Sequence, residues 1–355
     1  QSGNEQGMTV PDPYFGYRYR PDLMGQLSRE DLNFTFTTDD HGFRNPSPWP
    51  EQADVVAVGD SMVFGYGVED EQAWPRLVAK ELPDTEIVNL GLIGAAPQQY
   101  LRVLEAFGLA LHPKLVLFML FPGNDLIDAD AFQRWLDERT KLSYEEWRRT
   151  DGQPRYAGLL QQLLGGSRVL AFLRGARNAL TSPVTGSDIE FEDGRRIRLA
   201  PAMLYSSLER DHPGDPVFEL VMTTIERART VSRRHGSHFL VLLMPTKEEV
   251  YLPRIGEPAP PLVETFKTEL EKREVRFTDL TPYFRARSRD AAPLFFEIDG
   301  HPNAAGYRLI ARVVADHLKE FGATYGLSDR PESTGRRDQK AGWLTECRAW
   351  HVSTC

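Results

Sequence analysis

From residue 55 onward, short apolar runs alternate with stretches of helical period. Val55 to Val58 is an uninterrupted apolar stretch that predicts a buried strand. Trp74, Leu77, Val78 and Leu82 fall on one helical face, and Glu86 to Asn89 (EIVN) predicts a second strand ending in Leu90-Gly91. Leu101, Leu104, Phe107 and Leu111 predict a helix started by Pro97. Leu115 to Phe121 (LVLFMLF) predicts a strand without alternation, as expected where both faces are covered. The rhythm returns with a helix over 216–235, a strand from Phe239 to Met244, and a helix over 262–273. A short strand around Val275 to Phe277 and the segment Leu294 to Ile298 come next. A last helix, starting at Pro302, buries Tyr307, Ile310, Val313, Val314, Leu318 and Phe321. Strands joined by helical crossovers imply a doubly wound, mainly parallel α/β sheet.

Two regions break this rhythm. Residues 1–50 show no helical period; Phe34 and Phe36 alternate with Asn33, Thr35 and Thr37, which predicts a β-arm ending in the turn Asp39-Asp40-His41-Gly42. Pro46, Pro48 and Pro50 close it off. Between about 128 and 215 lie polar helical stretches (Phe132 to Arg149) and an apolar-basic one (Tyr156 to Leu180). Ile189 to Phe191 and Arg196 to Leu199 then flank Asp193-Gly194, a hairpin signal. This interval reads as a helical and hairpin insertion capping the sheet edge; Gly165-Gly166 interrupts its amphipathic run, which favours a buried cap helix over a membrane-surface one. The expected organisation is a β-arm (1–50), an α/β domain carrying the insertion (51–325) and a polar tail (326–355).

Composition narrows the function classes. With a formal net charge of -9, the chain is not expected to bind nucleic acid, where affinity comes from basic residues on phosphates. No apolar run approaches the roughly 18 residues of a membrane span. The sequence opens on Gln1, which leads to the expectation of a processed N-terminus, an extracytoplasmic location and membrane association through a removed N-terminal segment. Cys347 and Cys355 are expected to form a tail disulfide or remain thiols; no second Cys/His pair at ligand spacing makes them a metal site.

Four motifs carry the chemistry: Gly59-Asp60-Ser61 after the first strand, Asn89 to Gly94 (NLGLIG) after the second, Pro122 to Asp125 after the third, and Asp299-Gly300-His301-Pro302-Asn303 before the last helix. Each alone has a plainer reading, as a helix cap, a turn or a helix start. Four in this order, on loops that a doubly wound sheet can bring to one rim, point to acyl transfer. Ser61 is the candidate nucleophile, His301 the base that takes its proton, and Asp299 the group that holds the imidazole. The backbone N–H groups of Ser61 and Gly94 and the amide of Asn124 are the candidate oxyanion donors.

In these blocks the chain resembles the SGNH (GDSL-type) hydrolase superfamily: Ser61 in GDS, Gly94 in NLGLIG, Asn124 in GND, and Asp299 with His301 in DGHPN match its four motifs, over about 55–320. The resemblance implies a three-layer α/β/α sandwich, flavodoxin-like, with a mainly parallel five-stranded sheet. It also implies ester hydrolysis or acyl transfer without metal or organic cofactor. One departure stands out. The family usually spaces its motif Asp-x-x-His, whereas Asp299 precedes His301 by two and Ile298 occupies the third position; Glu297 is the alternative carboxylate. The leading expectation is a serine esterase acting on a short-chain acyl ester of a small molecule or carbohydrate. An O-acyltransferase acting on a cell-envelope polysaccharide with the same residues is the alternative, and a non-catalytic carbohydrate-binding domain a third. Tyr14, Phe15, Trp135 and Trp147 are candidate sugar or acyl platforms, and Pro245 to Tyr251 a candidate acceptor-side segment.

Overall fold

The computed structural model describes residues 7–29, 31–150, 188–191, 194–199, 205–290 and 292–327. The stretch from Tyr156 to Leu180, nearly all of the polar tail and both cysteines lie outside the described residues. Two hairpins come first: β1 (Thr9–Asp12) with β2 (Gly16–Tyr19), and β3 (Met24–Arg29) with β4 (Leu32–Thr37). The central sheet then uses β5 (Val55–Gly59), β6 (Ile87–Gly91) and β7 (Leu115–Leu120). After a small antiparallel hairpin, β8 (Asp188–Glu190) with β9 (Arg196–Arg198), it adds β10 (His238–Leu243) and β11 (Phe277–Asp279). Its order is β11-β10-β7-β5-β6 and every pairing is parallel. The winding reverses between β5 and β7, the place where open α/β sheets receive ligands.

The helices are α1 (Ser61–Phe64), α2 (Trp74–Glu81), α3 (Pro97–Val103), α4 (Asp125–Glu138), α5 (Tyr144–Thr150) and α6 (Tyr205–Leu208). They continue with α7 (Pro216–Arg234), α8 (Lys247–Tyr251), α9 (Leu262–Lys272), α10 (Thr281–Arg287) and α11 (Ala304–Phe321). Alternate strand residues face opposite layers. Val56, Val58, Val116, Phe118 and Val241 pack under α3, α4, α7 and α9. Val55, Ala57, Leu115, Leu117 and Leu240 pack under α2, α10 and α11. Both layers are buried, which is why the strands read as unbroken apolar runs. The architecture is the expected three-layer α/β/α sandwich. Within the stretch read as an insertion, α4 packs directly on α3 and α7.

Three elements differ in detail from the sequence pattern. The helix begun at Pro97 keeps α geometry only to Val103, then passes through a π turn (Leu104–Gly108) and a tight turn (Leu109–Leu111) before His112 ends it at φ +49°. β11 starts two residues late, because the Val275 N–H donates to Leu270 O at 2.9 Å and so finishes α9. The last helix starts at Ala304, not Pro302. Asn303 caps it, its side chain accepting from the Ala305 and Gly306 N–H groups, while Pro302 bridges to Phe295.

The β-arm is built as its alternation suggests: Leu32, Phe34 and Phe36 point inward and Asn33, Thr35 and Thr37 outward. Its aromatics join the main core, with Tyr19 and Phe36 against Phe64 at 5.3 and 5.1 Å. Beyond the hairpins, Arg44 is buried, pairs with Asp70 at 2.5 Å, and donates to the carbonyls of Phe64, Gly65 and Val68. Removing the buried guanidinium leaves these carbonyls without their donor. Arg44→Met is therefore expected to lower unfolding free energy by about 3 kcal/mol in urea titrations. An unchanged midpoint and slope would show that the arm is a mere appendage.

Candidate active site

Ser61 follows β5 with only Asp60 between them and opens the four-residue helix α1. Asp60 caps that helix, its Oδ1 accepting the Met62 N–H at 2.9 Å. Only Ser61 O finds local partners, the Gly65 and Tyr66 N–H groups; the other carbonyls of so short a helix are served by side chains from elsewhere. Trp74 Nε1 donates to Met62 O at 3.1 Å, Asn89 Nδ2 to Val63 O at 2.9 Å, and Arg44 to Phe64 O and Gly65 O. Gly65 turns the chain away at φ +85°. At Gly91 a Cβ would come within 2.2 Å of the Phe64 nitrogen, so only glycine lets β6 lie this close to α1.

His301 reaches Ser61 from 240 residues away in sequence: its Nε2 lies 2.7 Å from Ser61 Oγ. Its Nδ1 lies 2.5 Å from Asp299 Oδ1, which also accepts the His301 backbone N–H at 2.8 Å. With Nδ1–H directed at a carboxylate, Nε2 is left to accept the serine proton. Asp299, rather than Glu297, is thus the carboxylate that meets the imidazole despite the two-residue spacing. Burial pushes the Asp299 carboxyl up, but the charge and hydrogen bonds of His301, helped by Lys247, outweigh it and lower it to about 2. The ring of Tyr66 lies 4.5 Å from that of His301, and the Tyr307 hydroxyl donates to Tyr66 O at 3.1 Å.

The loop that carries Asp299 is gripped from both sides. Lys247 Nζ, buried at 3% exposure, donates to the carbonyls of Phe296, Glu297, Ile298 and Asp299 at 3.0–3.5 Å. Asp31 Oδ2, from the β3–β4 turn, accepts the Ile298 and Asp299 N–H groups at 2.6 and 3.1 Å. Downstream, Asn303 Nδ2 donates to Pro293 O and Phe295 O. Neither Asp31 nor Lys247 was marked as functional by the sequence pattern. Lys247 sits within the stretch read as a candidate acceptor segment, but nothing in its spacing signals a buried ammonium among carbonyls.

Asn124 joins the constellation through Asp60: both Ser61 Oγ and Asn124 Nδ2 lie 3.3 Å from Asp60 Oδ2. Burial raises the Asp60 carboxyl above its usual range, against the hydrogen bonds and His301 charge that lower it. The turn holding Asn124 is fixed by Asp125, which accepts the Phe121 N–H at 2.7 Å and the Tyr100 hydroxyl at 2.6 Å, and by Ser207, which donates to Gly123 O. Gly94 stands in the loop after β6. Gly59 pairs with Gly91, and the Leu92 N–H donates to Gly59 O at 3.1 Å. Gly94 takes φ +72°, and its carbonyl accepts Arg148 Nη1 at 2.9 Å, with Arg148 paired to Asp128 at 3.2 Å. The aromatic candidates do other work. Phe15 and Trp147 are buried packing residues, Trp135 donates to Leu142 O, and the Tyr14 hydroxyl donates to Glu105.

Over residues 57–309 the sequence matches the GDSL-like lipase/acylhydrolase family. Similar solved structures include a member of the lipolytic protein G-D-S-L family from Veillonella parvula, at 14% identity over 75% of this chain and 97% of that chain, with a TM-score of 0.40. The psychrotrophic esterase EstA from Pseudoalteromonas sp. is similar at 14% identity over 76% and 98%, TM-score 0.36. The acetyl xylan esterase AlAXEase is similar at 10% identity over 74% and 98%, TM-score 0.41. A comparison with curated proteins finds no match.

Burial pushes the Asp128 carboxyl up to about 6, against the pull of Arg148 and with the charge of Asp60 adding to the rise. The folded chain then keeps a proton that the unfolded chain releases near the ordinary value, so stability falls as pH rises from about 4 to about 6, by up to about 3 kcal/mol. Asp128→Asn is expected to make the urea midpoint less dependent on pH across that window. An unchanged slope would contradict the shift.

Proposed function

The chain belongs to the GDSL-like lipase/acylhydrolase family, and on that premise we propose that it is a serine ester hydrolase working through an acyl-enzyme on Ser61. The observation that carries this reading is the unbroken chain from Ser61 Oγ through His301 to Asp299, with contacts of 2.7 and 2.5 Å. Ser61 Oγ attacks the ester carbonyl carbon while His301 Nε2 takes its proton. Asp299 holds the ring and offsets the positive charge of the imidazolium. The oxyanion forms against the N–H groups of Ser61 and Gly94 and the amide of Asn124. One N–H of that amide is directed to Asp60, and the other serves the oxyanion.

Collapse of the tetrahedral intermediate breaks the ester C–O bond, and the imidazolium gives its proton to the departing alkoxide. Water then attacks the acyl-enzyme with His301 again as base, and the carboxylate leaves as Ser61 is restored. The substrate is proposed to be a short-chain acyl ester.

Hydrolysis of p-nitrophenyl acetate tests the assignment. Ser61→Ala is expected to lower kcat by on the order of 10⁴- to 10⁶-fold, and Asp299→Asn by on the order of 10⁴-fold. Asn124→Ala should cost about 10²- to 10³-fold, while Glu297→Gln stays near wild type. Equal rates in wild type and Ser61→Ala would overturn the nucleophile, and loss of activity in Glu297→Gln with Asp299→Asn active would move the orienting role to Glu297.

A further inference from the structure

Gly94 stands between two peptide groups, and each is held from outside its own loop. On the N-terminal side, the Ile93 carbonyl accepts the Tyr17 hydroxyl at 2.5 Å. On the C-terminal side, the Gly94 carbonyl accepts Arg148 Nη1 at 2.9 Å, and Arg148 Nη2 is anchored on Asp128 at 3.2 Å. A trans peptide is planar, with its C=O and N–H pointing in opposite directions. A hydrogen bond that fixes the Ile93 oxygen therefore also aims the Gly94 N–H. Hydrogen bonds in series polarise one another, so a donor on that carbonyl makes the N–H of the same amide a stronger donor. The clamp also answers a liability. At φ +72° glycine has no side chain to restrict it, and its flanking peptides would otherwise turn easily.

The clamping residues are themselves well supported. Tyr17 is 4% exposed, stacks on Tyr144 at 6.2 Å with an interplanar angle of 13°, and is held in β2 opposite Pro11. Arg148 rises from α5 and lies over the same Tyr144 ring at 5.5 Å. We propose that Tyr17 and Arg148 are positioning residues of the oxyanion hole, which aim the Gly94 N–H at the charge formed on the substrate carbonyl. The β-arm, outside the residues that match the family, thereby completes the active site. The proposal rests on the reading of Gly94 as an oxyanion donor.

The test uses the full chain with Tyr17→Phe and Arg148→Met. Phenylalanine keeps the packing against Tyr144 and loses only the hydroxyl. Two readouts are taken: steady-state hydrolysis of p-nitrophenyl acetate, and inhibition by phenylboronic acid, which forms a reversible tetrahedral adduct with a reactive serine. In Tyr17→Phe, kcat and the affinity for the boronic acid are both expected to fall about tenfold with KM nearly unchanged, because only the oxyanion-bearing state needs the aimed donor. Arg148→Met should shift both in the same direction, and it carries the test should Tyr17→Phe fail to fold. A folded variant that keeps wild-type kcat and boronic acid affinity, or that changes KM alone, would overturn the clamp. Ser61→Ala separates the two levels. If it retains hydrolysis, the acyl-enzyme reading fails; if it is inactive while both clamp variants match wild type, the clamp fails and the acyl-enzyme reading stands.

Discussion

A four-residue helix closes only its first carbonyl by itself, here Ser61 O on the Gly65 and Tyr66 N–H groups, and the carbonyls that α1 leaves over are the constraint around which the molecule is arranged. The remaining carbonyls are taken up by Trp74 from α2, Asn89 from β6 and Arg44 from the part of the β-arm that follows its hairpins. Each of these is buried and has further work. Asn89 Oδ1 accepts the Gly91 N–H and so ties α1 to the loop that leads to Gly94. Arg44 couples α1 to Asp70 and to the aromatic cluster of Phe34, Phe36 and Phe64. The serine turn is therefore rigid because three separate elements hold it.

The opposite wall of the site follows a similar rule, with charged groups alone as the supports. An ammonium among four carbonyls and a carboxylate on two N–H groups hold residues 296–299 from two sides. Asp299 can therefore meet Nδ1 from only two residues before His301. Such a short span needs the backbone to fold back, and the bridge between Phe295 and Pro302, with the Phe296 N–H donating to His301 O at 3.1 Å, provides that reversal. A buried charge such as the Lys247 ammonium is costly alone; here it has several polar partners.

Much of this was legible in the sequence. Unbroken apolar runs gave the buried parallel strands, helical spacing gave the crossovers, and the order of Ser61, Gly94, Asn124 and His301 at loop positions pointed to acyl chemistry. The supports were not legible. Arg44, Asp31 and Lys247 lie far from the motifs in sequence, and their value comes from contacts that only the closed fold creates. Tyr17 is one of several aromatics near the start of the sequence, and its significance lies in which carbonyl its hydroxyl meets. The last helix starts two residues later than its pattern predicts for a local reason: Pro302 is a good first residue for a helix, but Asn303 competes as a cap and wins. No described helix is long and apolar enough to cross a membrane.

The central claim is that acyl transfer passes through a covalent ester on Ser61. The most direct measurement is to quench the full chain in acid while it turns over p-nitrophenyl acetate and to locate the added mass by peptide mass spectrometry. The account predicts one acetyl group on the peptide containing Ser61, absent when the substrate is omitted. Continued hydrolysis with Ser61 unmodified, or an acetyl group that accumulates and turns over at another residue, would contradict it.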